Sequence, residues 1–126
     1  MVTKTDWVSR SANIKPRDLM FINGDFASAK SGKTFDAISP IDQRVLAKVA
    51  AGDTPDVDAA VNAAKRAFEN GDWRNLNPRD KKTIMLKWAD LIRENYEEIA
   101  LLETLEVGKP IGDTSGYDAL AVARVI

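Results

Sequence analysis

The chain has 126 residues, 44% apolar and 29% charged, with a net charge of −1. This describes one ordinary globular domain, too evenly balanced in sign to draw nucleic acid or an acidic membrane surface. It has no cysteine and no histidine, which excludes disulfides, thiolate nucleophiles, cysteine-bound zinc or iron–sulfur centres, and the commonest general base at neutral pH. No apolar run is long enough to cross a bilayer, and the opening "MVTKTDWVSRSANIKPRD" lacks the apolar core of a secretion signal, so a cytoplasmic location is expected.

Residues 1–18 are polar and mixed and read as an N-terminal extension, with a short helical turn at Thr5–Arg10. "LMFING" is a strand running into a turn and "DFASA" is its return; Asn23-Gly24 is a strong two-residue hairpin signal because both positions must reach positive φ. The next stretch, "ASAKSGKTF", has the spacing of a phosphate-binding loop, with four residues between Ala27 and the Gly32-Lys33-Thr34 group. Its flanks argue against that role. A working loop follows a buried strand and opens into a helix, whereas this one follows a hairpin turn, lacks the first glycine and leads into "FDAISP", where Pro40 disfavours helical geometry at Ser39. It reads as a polar loop between short strands. "KTFDAIS" and "RVLAKVA", separated by the turn-like "PIDQ", complete a small antiparallel region.

The remainder has the signals of helices. In "GDTPDVDAAVNAAKRAFENG", Thr54 is the expected N-cap, Pro55 suits the first helical position, and Asp56 and Asp58 complement the dipole. Val57, Val61, Ala64 and Phe68 form an apolar stripe, and Asn70-Gly71 is expected to close the helix in a left-handed cap. A second helix starts with Asn77 as cap and Pro78 in its first turn, and Ile84, Trp88, Leu91 and Ile92, widened by Met85, make its stripe. A break near Asn95 leads to a third, with Ile99, Leu102 and Leu105 on one side. Gly108 ends it and Pro110 blocks its continuation. "GDTSGYDALAVARVI" begins a further helix that stops within its apolar pattern, so the sequence is expected to be the first part of something longer. Glu97, Glu98, Glu103 and Glu106 read as solvated or structural carboxylates, with Glu97 and Glu98 facing solvent. Trp7, Trp73 and Trp88 read as packing residues.

"LLETLEVGKPIGD", Leu101–Asp113, resembles the "LETLD-x-GKP" segment near the N-terminus of the aldehyde dehydrogenase superfamily. "FINGDF", "SGKTFDAISPIDQRVLAKVAAGD" and "DVDAAVNAAKRAFENGDWRNLNPRDKKTIMLKWADLI" resemble the family's other early landmarks, in the same order, so the likeness runs from about Leu19 to Ile126. "RAFENGDW" and "LAKVAAGDTPDVDAAV" look closest to the branch that oxidises γ-glutamylaminobutyraldehyde and related ω-amino aldehydes.

The resemblance implies an α/β parent with a Rossmann-type dinucleotide-binding domain, of which residues 19–126 are the N-terminal part. This segment is a small antiparallel β region followed by three to four α-helices. It implies an NAD- or NADP-dependent oxidation of an aldehyde substrate in a homo-dimer or homo-tetramer. In the family a cysteine thiolate attacks the aldehyde, hydride passes to NAD(P)⁺ and a glutamate activates water. Those residues lie beyond the matched region, so no catalytic or cofactor-binding residue carries over to this chain, which is expected to be inactive by itself. Some members also hold K⁺ or Na⁺ between main-chain oxygens and a carboxylate. By motif the carbonyls fall on Ala37 and Ile38 and the carboxylate on Glu106, where glutamate replaces the family's aspartate and adds one methylene. A second class stays open beside the enzyme piece: a non-catalytic helical interaction module derived from the same family. In either case the helical stripes are expected to lack part of the surface that the parent packs against them.

Overall fold

The computed structural model describes residues 4–126. It opens with helix α1 (Lys4–Asn13), longer than the turn expected there. Strands β1 (Met20–Ile22) and β2 (Asp25–Ala27) form an antiparallel hairpin across Asn23 and Gly24, whose φ values are 56° and 88°. Phe21 and Phe26 face each other across it with ring centroids 5.0 Å apart. Strands β3 (Thr34–Ile38) and β4 (Val45–Ala50) form a second antiparallel pair, in register from Thr34 opposite Ala50 to Ala37 opposite Ala47. A bulge then shifts the pairing so that Ile38 lies opposite Val45. The two hairpins are separate sheets, joined where the Ala50 amide donates to the Asp18 carbonyl at 2.8 Å. The "AKSGK" segment is the loop between β2 and β3, tightened by the Gly32 amide donating to Ala29 at 2.8 Å, and no helix follows it.

Helix α2 (Thr54–Asn70) is capped by Asp53 rather than Thr54. The Asp53 amide donates to the Asp56 carboxylate at 3.1 Å, which satisfies a main-chain donor that helix geometry leaves unpaired. Gly71 does not close the helix in the left-handed conformation. It is extended, with φ −78° and ψ 152°. Glycine is needed for a different reason: a Cβ there would stand 2.1 Å from the Ala67 carbonyl oxygen. The chain then makes a short turn of helix, α3 (Asp72–Asn75), that the sequence pattern did not announce. Helix α4 (Pro78–Glu94) begins as expected, with the Asn77 side chain accepting from the Asp80 amide at 3.0 Å. Asn95 separates it from α5 (Tyr96–Val107). The last helical stretch is broken into α6 (Ile111–Asp113), a π-helical turn at Thr114–Asp118 and α7 (Ala119–Val125).

The interior is made mostly of small side chains. α4 packs on α7, and α5 packs on the π turn and α7. Ala89, Ala100, Ala119 and Ala123 are buried along these helices, with Leu101 and Leu105 as the large apolar members. Small residues let helix axes come close together, and they also limit how much apolar area is removed from water. The larger residues of the expected stripes are outside. Val57, Val61 and Phe68 of α2 and Ile84, Trp88 and Leu91 of α4 are all exposed. On α2 the inward positions are Asp56 and Ala63.

The π turn is fixed by a hydroxyl pair. Thr104 on α5 and Thr114 are both buried, with their side-chain oxygens 2.8 Å apart, and the Thr114 hydroxyl also lies 3.3 Å from the Ile111 carbonyl, to which it donates. Removing one partner leaves a buried polar group short of a bond. Thr104→Val is therefore expected to lower stability by about 1–3 kcal/mol, and Thr104→Val with Thr114→Val by less than the sum of the two single changes. Denaturant unfolding of the single and double variants checks this; additive costs would show that the pair is not coupled.

Candidate functional site

The three residues singled out as oxygen donors lie on two elements whose ends meet. Ala37 and Ile38 flank the bulge at the end of β3. A bulge interrupts the regular ladder, the setting in which main-chain carbonyls are left for another partner. Two residues on, Pro40 packs against Gly108, which ends α5 with φ 81°. That left-handed geometry favours glycine, and a Cβ would stand 3.1 Å from the Pro40 ring. Glu106 belongs to the same last turn of α5 and is exposed. Its side chain lines an open cleft of about 530 Å³ with Lys15, Pro16, Arg17, Glu98 and Leu102. So Ala37 and Ile38 are together, the Gly108–Pro40 contact brings the end of α5 to the segment after β3, and Glu106 itself is set beside Lys15 and Arg17. Among the described residues no three acidic side chains converge as a metal-holding group.

The other carboxylates divide by environment. Glu98 is exposed, as expected. Glu97 is not simply solvated. It is half-buried and accepts from the Arg10 guanidinium at 2.6 Å, tying α1 to α5. The guanidinium holds the Glu97 carboxyl below the usual carboxylate range, and Glu97 raises Arg10 in return. Tyr96, whose hydroxyl lies 3.3 Å from Glu97, is raised by the neighbouring negative charge. A second link fixes α1: the Arg44 guanidinium donates to the Ser11 carbonyl at 2.8 Å. The segment read as an N-terminal extension is thus anchored to both the strand region and the helices. Sequence alone gave no sign of the Arg10–Glu97 pair, because its members are 87 positions apart.

Two further ionic features were also missed. Lys109 pairs with Asp118 across the π turn, which raises the lysine. Asp56, expected only to complement a helix dipole, is buried. It accepts from the Asp53 amide and from the Lys30 amide in the β2–β3 loop, each at 3.1 Å, and the Asp53 amide, followed by that of Lys30, holds it below the usual range. The tryptophans are surface-packing residues: Trp7 is half-buried beneath Arg10, and Trp73 and Trp88 are about half exposed.

None of these groups forms a nucleophile–base pair. The chain has no thiol or imidazole, and the anionic side chains with shifted titration are each held by amides or a cation in a structural role. Its seven glycines include no G-x-G pair, so the tight turn that brings a dinucleotide phosphate to a helix N-terminus is not formed here. The arrangement holds elements together.

Comparison with known proteins identifies the scaffold. The model of the "Aldehyde dehydrogenase family" matches residues 26–126. The chain belongs to this family. It is 39% identical over 120 residues to the NADP/NAD-dependent aldehyde dehydrogenase PuuC of Escherichia coli (strain K12), a match covering 95% of this chain and 24% of that one. It is 52% identical over 91 residues to aldehyde dehydrogenase 1 of Tanacetum cinerariifolium, covering 72% of this chain and 18% of the other. Among solved structures, the γ-glutamyl-γ-aminobutyraldehyde dehydrogenase of Burkholderia cenocepacia J2315 superposes with a TM-score of 0.95 at 50% identity, over 98% of this chain and 25% of that one. An indole-3-acetaldehyde dehydrogenase matches with the same TM-score at 47% identity. The chain therefore spans about a quarter or less of the length of the relatives it matches, and its elements are those of the N-terminal part of an aldehyde dehydrogenase.

Proposed function

We propose that the chain is the N-terminal part of an NAD(P)-dependent aldehyde dehydrogenase that oxidises an aldehyde to a carboxylic acid, in the branch acting on γ-glutamylaminobutyraldehyde and related ω-amino aldehydes. The observation that carries this reading is the 0.95 TM-score and 50% identity to the Burkholderia cenocepacia enzyme. The E. coli relative, whose name gives NADP and NAD, and the NAD⁺ complexes among the structural neighbours support the choice of cofactor class. NAD(P)⁺ supplies a hydride acceptor when bound to the complete enzyme, and no residue of this chain is assigned to it. The contribution of these residues is scaffolding: residues 19–126 form the leading part of the dinucleotide-binding domain, held in shape by Asp56, by the Arg10–Glu97 pair and by the Thr104–Thr114 hydroxyls. The complete protein is read as a cytoplasmic homo-dimer or homo-tetramer. The exposed apolar faces of α2 and α4 favour a second reading, a non-catalytic interaction module of the same descent.

A K⁺ or Na⁺ site built from the Ala37 and Ile38 carbonyls and the Glu106 carboxylate belongs to the same proposal. Hard monovalent cations suit such oxygen donors, and the meeting of the β3 and α5 ends at Pro40 and Gly108 supports the grouping.

Two tests follow. Purified chain mixed with an ω-amino aldehyde and NAD⁺ or NADP⁺ should produce no reduced cofactor above blank. A chimera in which this chain replaces the matched quarter of the Burkholderia cenocepacia enzyme should produce it steadily. Turnover by the chain alone that survives stringent purification, or a folded chimera without turnover, would contradict the reading. In the same chimera, replacing K⁺ and Na⁺ by choline should lower the Tm, and Glu106→Gln should remove that dependence; a Tm indifferent to the cation would remove Glu106 from any such site.

A further inference from the structure

The sequence contains two Asn-Gly pairs, Asn23-Gly24 and Asn70-Gly71, and the fold treats them in opposite ways. A glycine after asparagine leaves the amide between them open to approach, because it has no Cβ to screen that nitrogen. The nitrogen can then attack the asparagine's own side-chain carboxamide, the intramolecular route behind the chemical lability of asparagine. Two local conditions control the reaction. The glycine amide must be free of a hydrogen bond, and the main chain must have room to bring the side-chain carbon over it. The other asparagines precede Ile14, Ala63, Leu76, Pro78 and Tyr96. Their amides are screened by a side chain or, at Pro78, absent.

Asn23-Gly24 meets both conditions. The pair is the whole turn between β1 and β2, with φ values of 56° and 88°, and both residues are exposed. The ladder ends at Ile22 opposite Asp25, outside the pair. Among the described residues the Gly24 amide has no main-chain acceptor. A Cβ on Gly24 would meet nothing within 4 Å, so no neighbour obstructs the approach. The strands that hold the turn are three residues each. A hairpin that short is marginal by itself, and its tip opens at small cost.

Asn70-Gly71 meets neither. Asn70 is the last residue of α2 and has its helical main chain. The Gly71 amide is committed, donating to the Ala67 carbonyl at 2.9 Å. The same carbonyl oxygen would stand 2.1 Å from a Cβ on Gly71, so the surroundings are filled as well. Attack at this pair requires the end of the helix to open first.

We propose that Asn23 is a self-modification site at which the folded chain deamidates, and that Asn70 is protected from the same reaction. The Gly24 nitrogen bonds to the Asn23 side-chain carbon. The carboxamide C–N bond breaks, and ammonia leaves with the proton that the Gly24 amide gives up. Water then opens the five-membered imide. Attack at the former side-chain carbonyl leaves aspartate, and attack at the main-chain carbonyl leaves isoaspartate. Aspartate before glycine suits the same two-residue turn. Isoaspartate carries the main chain through an extra methylene. Because the turn sets a hairpin's register, that product disrupts the facing of Phe21 and Phe26 across β1 and β2. The reaction needs only water and no partner or cofactor, so it is independent of the activity of the complete protein.

The test holds the purified chain in mildly alkaline buffer and samples it over time by tryptic peptide mapping. Trypsin separates the two pairs into residues 18–30 and 67–74. Mass spectrometry reads the exchange of amide for acid in each peptide, and enzymatic methylation of isoaspartyl carboxyls reads the second product. Residues 18–30 should convert about tenfold faster than 67–74 or more, because the Gly71 amide must first lose its bond. In concentrated urea the two peptides should convert at similar rates. Asn23→Gly, which also suits a two-residue hairpin, should remove the isoaspartate signal from residues 18–30. Equal rates in native buffer would overturn the proposal, as would faster conversion of 67–74. So would residues 18–30 that stay unchanged in native buffer while the urea-treated chain converts.

Discussion

One buried carboxylate organises the first half of this molecule. Asp56 lies in the first turn of α2, almost out of solvent, and receives the amides of Asp53 and Lys30. The first bond caps the helix; the second binds the loop between the two hairpins to the helix start. Lys30 adds its own ammonium to the Pro55 carbonyl at 3.0 Å. An anion at a helix N-terminus is favourable by itself, but here it also sets where α2 leaves the strand region. A carboxylate held by two amides is stable only while those amides stay in place, so loop, hairpin and helix are coupled through one side chain.

The second half depends on close helix packing rather than on bulk. Alanines at α4, α5 and α7 allow near approach, and the buried threonine pair and the Lys109–Asp118 pair hold the π turn between α6 and α7. The consequence is a thin interior beneath a surface rich in Val, Ile, Leu, Phe and Trp. In a complete single domain such side chains would be mostly inside. This chain makes up about a quarter of the solved relatives it matches, and in it these side chains are exposed. The shape matches those relatives closely.

Much of this was legible in the sequence because the signals are local. The Asn23-Gly24 turn, Pro78 after its Asn77 cap, the break at Asn95 and the left-handed Gly108 all act within a few residues. What was not legible depends on distance or crowding. Gly71 follows an asparagine at a helix end and invites a left-handed cap, yet it is glycine because the Ala67 carbonyl passes so close. Asp56 looks like an ordinary dipole partner until the Lys30 loop folds over it. Glu97 looks solvated until α1 brings Arg10 across. For the candidate cation site, the family resemblance pointed to Ala37, Ile38 and Glu106, and the fold brings the ends of their two elements together at Pro40 and Gly108. The cleft of Lys15 and Arg17 around Glu106 comes from the α1–β1 connection, which no local pattern connected with α5.

The central claim, that Asp56 couples the β2–β3 loop to the start of α2, is tested most directly by amide hydrogen exchange in the isolated chain. The Lys30 and Asp53 amides should exchange slowly and together, and Asp56→Ala, which removes both acceptor oxygens, should release both while leaving the Thr104–Gly108 end of α5 protected. A Lys30 amide that exchanges as fast in the wild-type chain as in Asp56→Ala would contradict the account.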